Sequence, residues 1–297
     1  MKIHTLRSNL LLLMTAAIWG FAFVAQRVGV KYVGSFTFNG VRFALGTLSL
    51  VPLILLFGKK PGDASSSGNT VRSAIPAGII AGCVLFLGAS LQQIGLEDTS
   101  AGKAAFITGL YIVIVPVLGI FLKHRVQTGT WIGVAAAITG LYFLCITEGF
   151  SIAKGDKLEL IGSLFWAVHI LLIDYFVKRT DALKLSCIQF ATCSVLSMAV
   201  ALAFERITVN GLWQATIPIL YGGICSVGIA YTLQVFGQKH AKPAHAAIIL
   251  SLETAFASLG GWIILNENLG ARGYLGCILM FAGMLISQLQ GLRRGEG

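Results

Sequence analysis

Charge is what this sequence has least of. Only 11% of its 297 residues are Asp, Glu, Lys or Arg, against about 25% in an ordinary soluble domain, too few to cover a water-facing surface. Its six cysteines, Cys83, Cys145, Cys187, Cys193, Cys225 and Cys277, contain no C-x-x-C pair and all fall in apolar stretches. That argues against a disulfide framework or a thiolate metal site and leaves packing as their simplest role. No G-x-x-x-x-G-K-[ST] loop is present, so the chain carries no built-in ATPase of that type. It also lacks H-E-x-x-H, G-x-S-x-G and any clustered His/Cys set. Its scattered His, Glu and Asp residues have no nucleophile–base spacing. The expectation is a protein that is not an enzyme and needs no cofactor and no metal.

What fills the chain is apolar: 56% of residues are hydrophobic. A helix needs roughly 20 such residues to cross a bilayer, and ten stretches of that length can be read, at 9–26, 36–57, 74–95, 101–122, 128–147, 158–177, 184–204, 213–237, 243–265 and 271–290. Little remains for a soluble domain. The longest polar insert, 59–72, contains Ser65-Ser66-Ser67-Gly68 and reads as a flexible cytoplasmic loop. The basic amino-terminal start followed by an apolar run also fits a signal peptide. The run nevertheless continues past Trp19 to span length without a small-residue cleavage site, so a first span is the better reading.

The formal charge of +10 raises the question of nucleic acid. With the amino terminus placed in the cytoplasm, the inner segments hold about twice as many Lys and Arg residues as the outer ones, which is the bias that orients membrane proteins. The charge is therefore explained by topology, with both termini cytoplasmic in a multi-pass protein of the cell's plasma (inner) membrane, and no nucleic-acid partner is expected.

The chain also repeats itself. Leu91-Gln92-x-x-Gly95 returns as Leu233-Gln234-x-x-Gly237, Lys103-Ala104-Ala105 as His245-Ala246-Ala247, and Trp131-Ile132-Gly133 with Gly140 as Tyr274-Leu275-Gly276 with Gly283. Trp19 and Arg42-Phe43-Ala44 align with Trp166 and Gln189-Phe190-Ala191. Five spans per copy, an odd number, place the copies upside down relative to each other. Such inverted repeats are the signature of transporters whose site lies at the midplane between the halves. The fold expected is an all-α integral membrane protein of ten transmembrane helices in two inverted five-helix repeats, 9–147 and 158–290. Glycine is abundant, with 35 residues. Pairs such as Gly78-x-x-x-Gly82 and Gly129-x-x-x-Gly133 suit close helix packing, while Gly222-Gly223 and Gly260-Gly261 are the best hinge candidates. Pro116 lies deep in the fourth span and is expected to bend it.

The run Ser100-Ala101-Gly102-Lys103-Ala104-Ala105-Phe106, followed by Thr108-Gly109-Leu110-Tyr111-Ile112-Val113-Ile114-Val115-Pro116, resembles the fourth helix of EamA-type transporters of the drug/metabolite transporter superfamily. Trp19-Gly20, Arg42-Phe43, Asn266-Glu267, and Gly276 with Ala282-Gly283 fit the same pattern, and the likeness runs from about residue 9 to 290. The resemblance implies alternating access by two inverted repeats and export of amino acids or related metabolites and drugs. Two features depart from it. Lys123-His124-Arg125 stands where the second copy has Asn266-Glu267, and Ser258 replaces a proline common in the ninth helix.

Charges within spans cost at least ~2.5–3.5 kcal/mol on insertion scales, so each needs a reason. Glu253 lies 11 residues after Lys242, about 16 Å of helix rise, near the midplane. It is read as binding a substrate amine or carrying a coupling proton. Arg42 is either an anchor for a carboxylate, which its guanidinium pairs with bidentately, or a structural group bonded to carbonyls or to Glu253. Trp166 and His169, three residues apart, share a helical face, and Gln189 joins them. Trp19, Asn39 and Arg42 form the matching set in the first repeat. Gln92, Gln93, Tyr231 and Gln234 add hydrogen-bond groups, and Tyr111 is the repeat equivalent of Glu253. Packing, interface anchoring of the tryptophans and an interhelical hydrogen bond for His169 are the competing roles. Asp174 reads as an inner-gate or solvated residue, and Lys103 and His245 as terminal charges.

The function expected is export of a small metabolite, foremost an amino acid or amino-acid-like compound, from a cavity lined by these residues. Glu253 and His169 would couple it to protons, in a monomer or homodimer within the lipid bilayer. The alternatives are another solute class (nucleobase, sugar derivative, lipid or drug) and, more remotely, a channel or membrane-embedded enzyme.

Overall fold

The computed structural model describes residues 2–57, 69–123, 126–145, 153–265 and 270–293, and among them it is helical, without strands. The helices are α1 (Lys2–Gly29), α2 (Ser35–Phe57), α3 (Asn69–Asp98), α4 (Ala101–Thr108), α5 (Tyr111–Phe121), α6 (Thr128–Cys145), α7 (Lys154–Val177) and α8 (Ala182–Phe204). There follow α9 (Val209–Gln214), α10 (Thr216–Leu220), a π-helical segment (Tyr221–Tyr231), α11 (Thr232–Gln238), α12 (Pro243–Leu250), α13 (Glu253–Leu265) and α14 (Gly270–Arg293). Eight helical stretches are long and apolar enough to cross a membrane, with α4–α5, α12–α13 and the run from α10 to α11 each counting as one. The expected fifth and tenth spans coincide with α6 and α14. Helix α3 begins at Asn69, inside the stretch read as a loop; residues 59–68 of that loop, and the His124-Arg125 and Asn266-Glu267 corners, lie outside the described residues.

Local chemistry sets the helix starts. Side chains cap three of them: Ser100 accepts from Lys103 N, Asp181 from Lys184 N at 3.0 Å and Thr208 from Gly211 N at 3.1 Å, each satisfying an otherwise orphaned amide. Helix α12 opens with Pro243 in its first turn, where the missing N–H costs nothing. Helix α2 is capped by a neighbour. Glu205, just past α8, accepts from Phe36 N at 2.8 Å, Thr37 N at 2.7 Å and Thr37 Oγ1 at 2.6 Å.

The molecule is apolar outside and polar within. Leu55 and Phe121 are each 79% exposed, and Leu10, Leu160, Val195 and Ile263 also point outward. Asn39, Arg42, Gln93, His169, Gln189 and Glu253 are buried. A water-soluble bundle would reverse this pattern, whereas lipid favours it.

Small residues let the main helix pairs close up. Helices α6 and α14 form the most extensive pairing, followed by α2 with α8, α3 with α7 and α8, and α1 with α13. A Cβ on Gly140 would fall 2.6 Å from Gly276 O, and one on Gly283 would fall 2.6 Å from Gly133 O. Gly140→Val should therefore destabilise the α6–α14 pair by about 1–3 kcal/mol, as overpacking does elsewhere, read as a lower Tm in detergent.

Three interruptions were not expected. The fourth span breaks at Gly109–Leu110 and the ninth at Ser251–Leu252, each with i→i−3 backbone bonds: Leu110 N to Ile107 O at 3.1 Å, and Leu252 N to Ile249 O at 3.2 Å. Their geometries match, with φ −57°, ψ −14° at Gly109 and φ −61°, ψ −15° at Ser251. The first break therefore lies at Gly109–Leu110 and not at Pro116, around which α5 is continuous. The third is the π segment, 11 residues long; π turns inside helices are rare and cluster at functional positions. Side chains of α1 bind its carbonyls: Trp19 Nε1 donates to Ser226 O at 3.2 Å and Thr15 Oγ1 to Ala230 O at 3.1 Å.

The start of α1 and the ends of α5, α7 and α11 share one face. There Arg7 lines a recess with Lys239 and His240, and Lys178 lines another with Val126, Lys239 and Lys242. Gly283 lies against Gly133, near the start of α6, so the end of α14 returns to that face as well. On the opposite face, Arg27 donates to the carbonyls of Leu96 and Glu97 and Ser35 Oγ to Glu97, while Lys103 Nζ meets Asp156 at 2.7 Å.

Candidate functional site

A narrow cavity of about 30 Å³ lies at the centre of the bundle, where the breaks in the fourth and ninth spans face each other. Eight of the eleven site residues read from sequence line it: Trp19, Arg42, Gln92, Tyr111, Trp166, Tyr231, Gln234 and Glu253. They come from α1, α2, α3, α5, α7, the π segment, α11 and α13. A largely apolar lining with a few fixed polar groups is the usual make-up of a small-ligand site, and in this conformation its walls are closed down to little more than the room of a water molecule.

Tyr231, the last residue of the π segment, is the hub of the lining. Its ring meets Trp19 edge-on at 4.5 Å and Phe190 at 5.7 Å, and stacks with Trp166 at 6.2 Å between centroids. The polar groups then divide in two. Some are committed to the protein: Gln92 Nε2 donates to Gln26 Oε1 at 3.2 Å, and Tyr111 OH to Glu253 Oε1 at 3.0 Å. Others have no partner. Trp166 Nε1, a donor, and Gln234 Oε1, an acceptor, are buried without a hydrogen bond. Unpaired buried polar atoms cost about 1–3 kcal/mol each, so their place on a cavity wall points to a bound solute or water.

Both charges in the lining are buried, Arg42 at 2% and Glu253 at 4% exposure. Arg42 Nε donates to Asn39 Oδ1 at 2.9 Å, and its guanidinium carbon lies 4.9 Å from the Phe43 ring centre. Among the described residues the ion pairs are Lys103–Asp156 and Lys178–Asp174. Arg42 and Glu253 are thus not bridged to each other, which removes one of the two structural roles considered for Arg42. Glu253 sits at the start of α13 against Gly20, where an added Cβ would fall 2.7 Å from Glu253 O; α1 approaches this closely only because position 20 has no side chain.

Asn39, His169 and Gln189 do not line the cavity. Asn39 stands behind Arg42, with Nδ2 donating to Ala89 O at 3.1 Å. His169 Nε2 and Gln189 Oε1 are 2.9 Å apart, both fully buried, and the imidazole meets the Tyr231 ring edge-on at 6.2 Å. The three-residue spacing from Trp166 places His169 on a neighbouring strip of α7, which turns it toward α8. Sequence reasoning missed Gln26, Thr108 and Ser226, which also line the cavity; the first two are small or neutral groups in apolar runs and carry no distinguishing signal. Asp174, His245 and Lys178 line a larger recess of about 440 Å³ on the amino-terminal face. Asp174 bonds Lys178 at 2.7 Å, and His245 Nε2 lies 3.2 Å from Thr130 Oγ1.

Comparison with known proteins names the family behind this arrangement. The sequence pattern of the EamA-like transporter family matches twice, at residues 6–146 and 153–288. The chain belongs to the EamA-like transporter family. An uncharacterized transporter of Archaeoglobus fulgidus is 29% identical over 290 residues, covering 97% of this chain and 88% of that one. The uncharacterized transporter YoaV of Bacillus subtilis is 21% identical over 283 residues, covering 93% and 95%. A solved crystal structure at 16% identity covers 97% of this chain and 99% of its own with a TM-score of 0.76, so the fold is shared. The EamA-like transporter described here is accordingly a multi-pass membrane protein of a transport family.

Proposed function

We propose that this transporter exports a small zwitterion, an amino acid or amino-acid-like metabolite, in exchange for protons, by alternating access of two inverted five-helix halves. The observation that carries the reading is the cavity wall: a buried guanidinium and a buried carboxyl group, not paired with each other, beside an aromatic cluster. A carboxylate suits Arg42, an ammonium suits Glu253, and an apolar side chain would rest against Trp19, Trp166 and Tyr231 once the cavity widens to admit it. Glu253 is the group that exchanges substrate amine for proton. His169, bonded to Gln189 behind the wall, has no direct part.

Three contacts support the inverted arrangement. About a twofold axis, equivalent residues meet each other, and Tyr111 and Glu253, 142 residues apart, are hydrogen-bonded. Gly140 meets Gly276 and Gly283 meets Gly133, the reciprocal pattern of a self-complementary interface. Matching breaks in the fourth and ninth spans are the usual pointer to a transporter's site. The same pairing supports reading α6 and α14 as the fifth and tenth of ten spans. Access is unequal at the two ends, with polar contacts tying the Lys103 face and a recess of about 440 Å³ opening on the lysine-rich face. The positive-inside bias makes the latter cytoplasmic, so this is an inward-leaning state of the plasma-membrane protein.

The test uses proteoliposomes and three leucine-shaped probes: leucine, leucinamide without the carboxylate, and 4-methylpentanoate without the amine. Saturable leucine transport is expected, with each single-charge analogue competing at least about tenfold more weakly, since a site built for both charges rejects a ligand lacking one. Equal competition by all three, or flux linear in concentration, would sink the zwitterion reading.

A further inference from the structure

At the opposite end of the bundle stands Asp156, in the first turn of α7. Its carboxylate is fully engaged, accepting from Lys103 Nζ at 2.7 Å, Thr99 Oγ1 at 2.9 Å and Ala153 N at 2.6 Å. Lys103 is partly exposed and brings this cluster to water. One turn deeper on the same helix stands Glu159, fully buried. Its Oε2 accepts from Thr108 Oγ1 at 2.9 Å, and its Oε1 has no hydrogen-bond partner. Neither ion pair among the described residues includes it. A carboxylate is costly to bury with an unfilled oxygen and no cation, and a proton on that oxygen removes the cost.

Thr108 closes the gap to the cavity. Its hydroxyl holds Glu159 on one side, and the residue lines the central cavity on the other. Three residues further on, Tyr111 donates to Glu253. The charged or titratable groups around Glu159 are Asp156 on its own helix, Lys103 at the start of α4, Tyr111 on α5, Glu253 on α13, and Glu97 and Asp98 at the end of α3. The two carboxyls whose charge Glu159 senses are Asp156 and Glu253, one toward each end of the line.

We propose that Glu159 is a second proton-carrying residue of the transport cycle, passing protons through the Thr108 hydroxyl between the cavity acid Glu253 and the Asp156–Lys103 mouth. In the step toward the mouth, a proton from the cavity binds Thr108 Oγ1 while the hydroxyl's own proton moves to Glu159 Oε2. Rotation of the hydroxyl restores it, and Glu159 then releases the proton toward Asp156. One proton moves and no bond to carbon changes. The relay rests on the proton-antiport reading of Glu253, and the structure adds what that reading lacked, a route for the proton separate from the larger recess on the lysine-rich face.

The test compares the wild-type protein with Glu159→Gln, Thr108→Val and Thr108→Ser in proteoliposomes with a trapped pH dye and leucine as probe. Removing a positioned proton-transfer group should slow pH-gradient-driven leucine accumulation by about tenfold to a hundredfold in Glu159→Gln and Thr108→Val, and in Glu159→Gln, whose side chain is outside the cavity lining, leucine-for-leucine exchange at equal pH should stay within about twofold of wild type. Thr108→Ser, which keeps the hydroxyl, should restore coupling. If Glu253→Gln uncouples transport and Glu159→Gln does not, the relay is overturned and the antiport reading stands. If Glu253→Gln leaves coupling intact, both fail. Infrared difference spectra across a pH change need no substrate: wild type should show a buried carboxyl band that disappears in Glu159→Gln, and its absence from wild type overturns the proposal.

Discussion

In inside-out vesicles, Glu253→Gln should abolish pH-driven accumulation of leucine, a loss on the order of a hundredfold or more if Glu253 is the group that exchanges substrate for proton. Glutamine keeps the shape, and its side-chain oxygen can still accept from Tyr111 OH, now 3.0 Å from Glu253 Oε1. The backbone contact with Gly20 is untouched, so the fold should survive. What disappears is the negative charge and the proton it carries. Tyr111→Phe tests the same contact from the other side and should be milder: one hydrogen bond is worth about 1 kcal/mol, a several-fold change in rate and not a loss of coupling. Wild-type accumulation by Glu253→Gln would mean that the coupling proton travels elsewhere.

Much of this site could be seen in the sequence because charge is so rare in it. Arg42 and Glu253 stand out against long apolar runs, and the cost of burying them gives each a reason to face a cavity. Duplication supplied the rest of the line: Trp19 with Trp166 and Gln92 with Gln234 recur in order, and all four line the central cavity. His169 was the misleading case. Helical spacing relates it to Trp166 correctly, but three residues on a helix are not superposed, and the small rotation between them is enough to send His169 to Gln189 of α8.

Glu159 stayed hidden for a different reason. At the second residue of an expected span, 158–177, it reads as a headgroup charge, and only tertiary packing of α7 against α3 and α4 buries it. The breaks at Gly109–Leu110 and Ser251–Leu252, and the π segment, contain no proline, and their small polar residues, Ser251 and Ser226, are of a kind that recurs throughout the spans. Hydropathy registers apolar length and is indifferent to how the backbone hydrogen bonds are shared along it. Gly222-Gly223, read as a hinge candidate, lies in the π segment, where a Cβ on Gly223 would fall 3.0 Å from Arg42 O.

Arg42→Gln should separate binding from stability by moving them in opposite directions. The guanidinium is 2% exposed, bonded to Asn39 and set over Phe43, with no carboxylate within ion-pair distance among the described residues. Breaking a buried ion pair is strongly destabilising because a charge is left behind. Here no charge is left behind, the glutamine amide can still donate to Asn39 Oδ1, and an expensive desolvated cation is removed. The empty transporter should therefore hold or raise its Tm. Leucine binding should weaken by about 2–5 kcal/mol, the range for truncating one side of a buried charge pair, or roughly 30-fold and upward in Kd. Leucinamide, which has no carboxylate to lose, should be affected far less. Arg42→Lys should recover only part of the loss, since a point charge does not reproduce the planar two-bond fit. A fall in Tm with leucine and leucinamide weakened alike would make Arg42 a structural residue, and the carboxylate would then need another anchor.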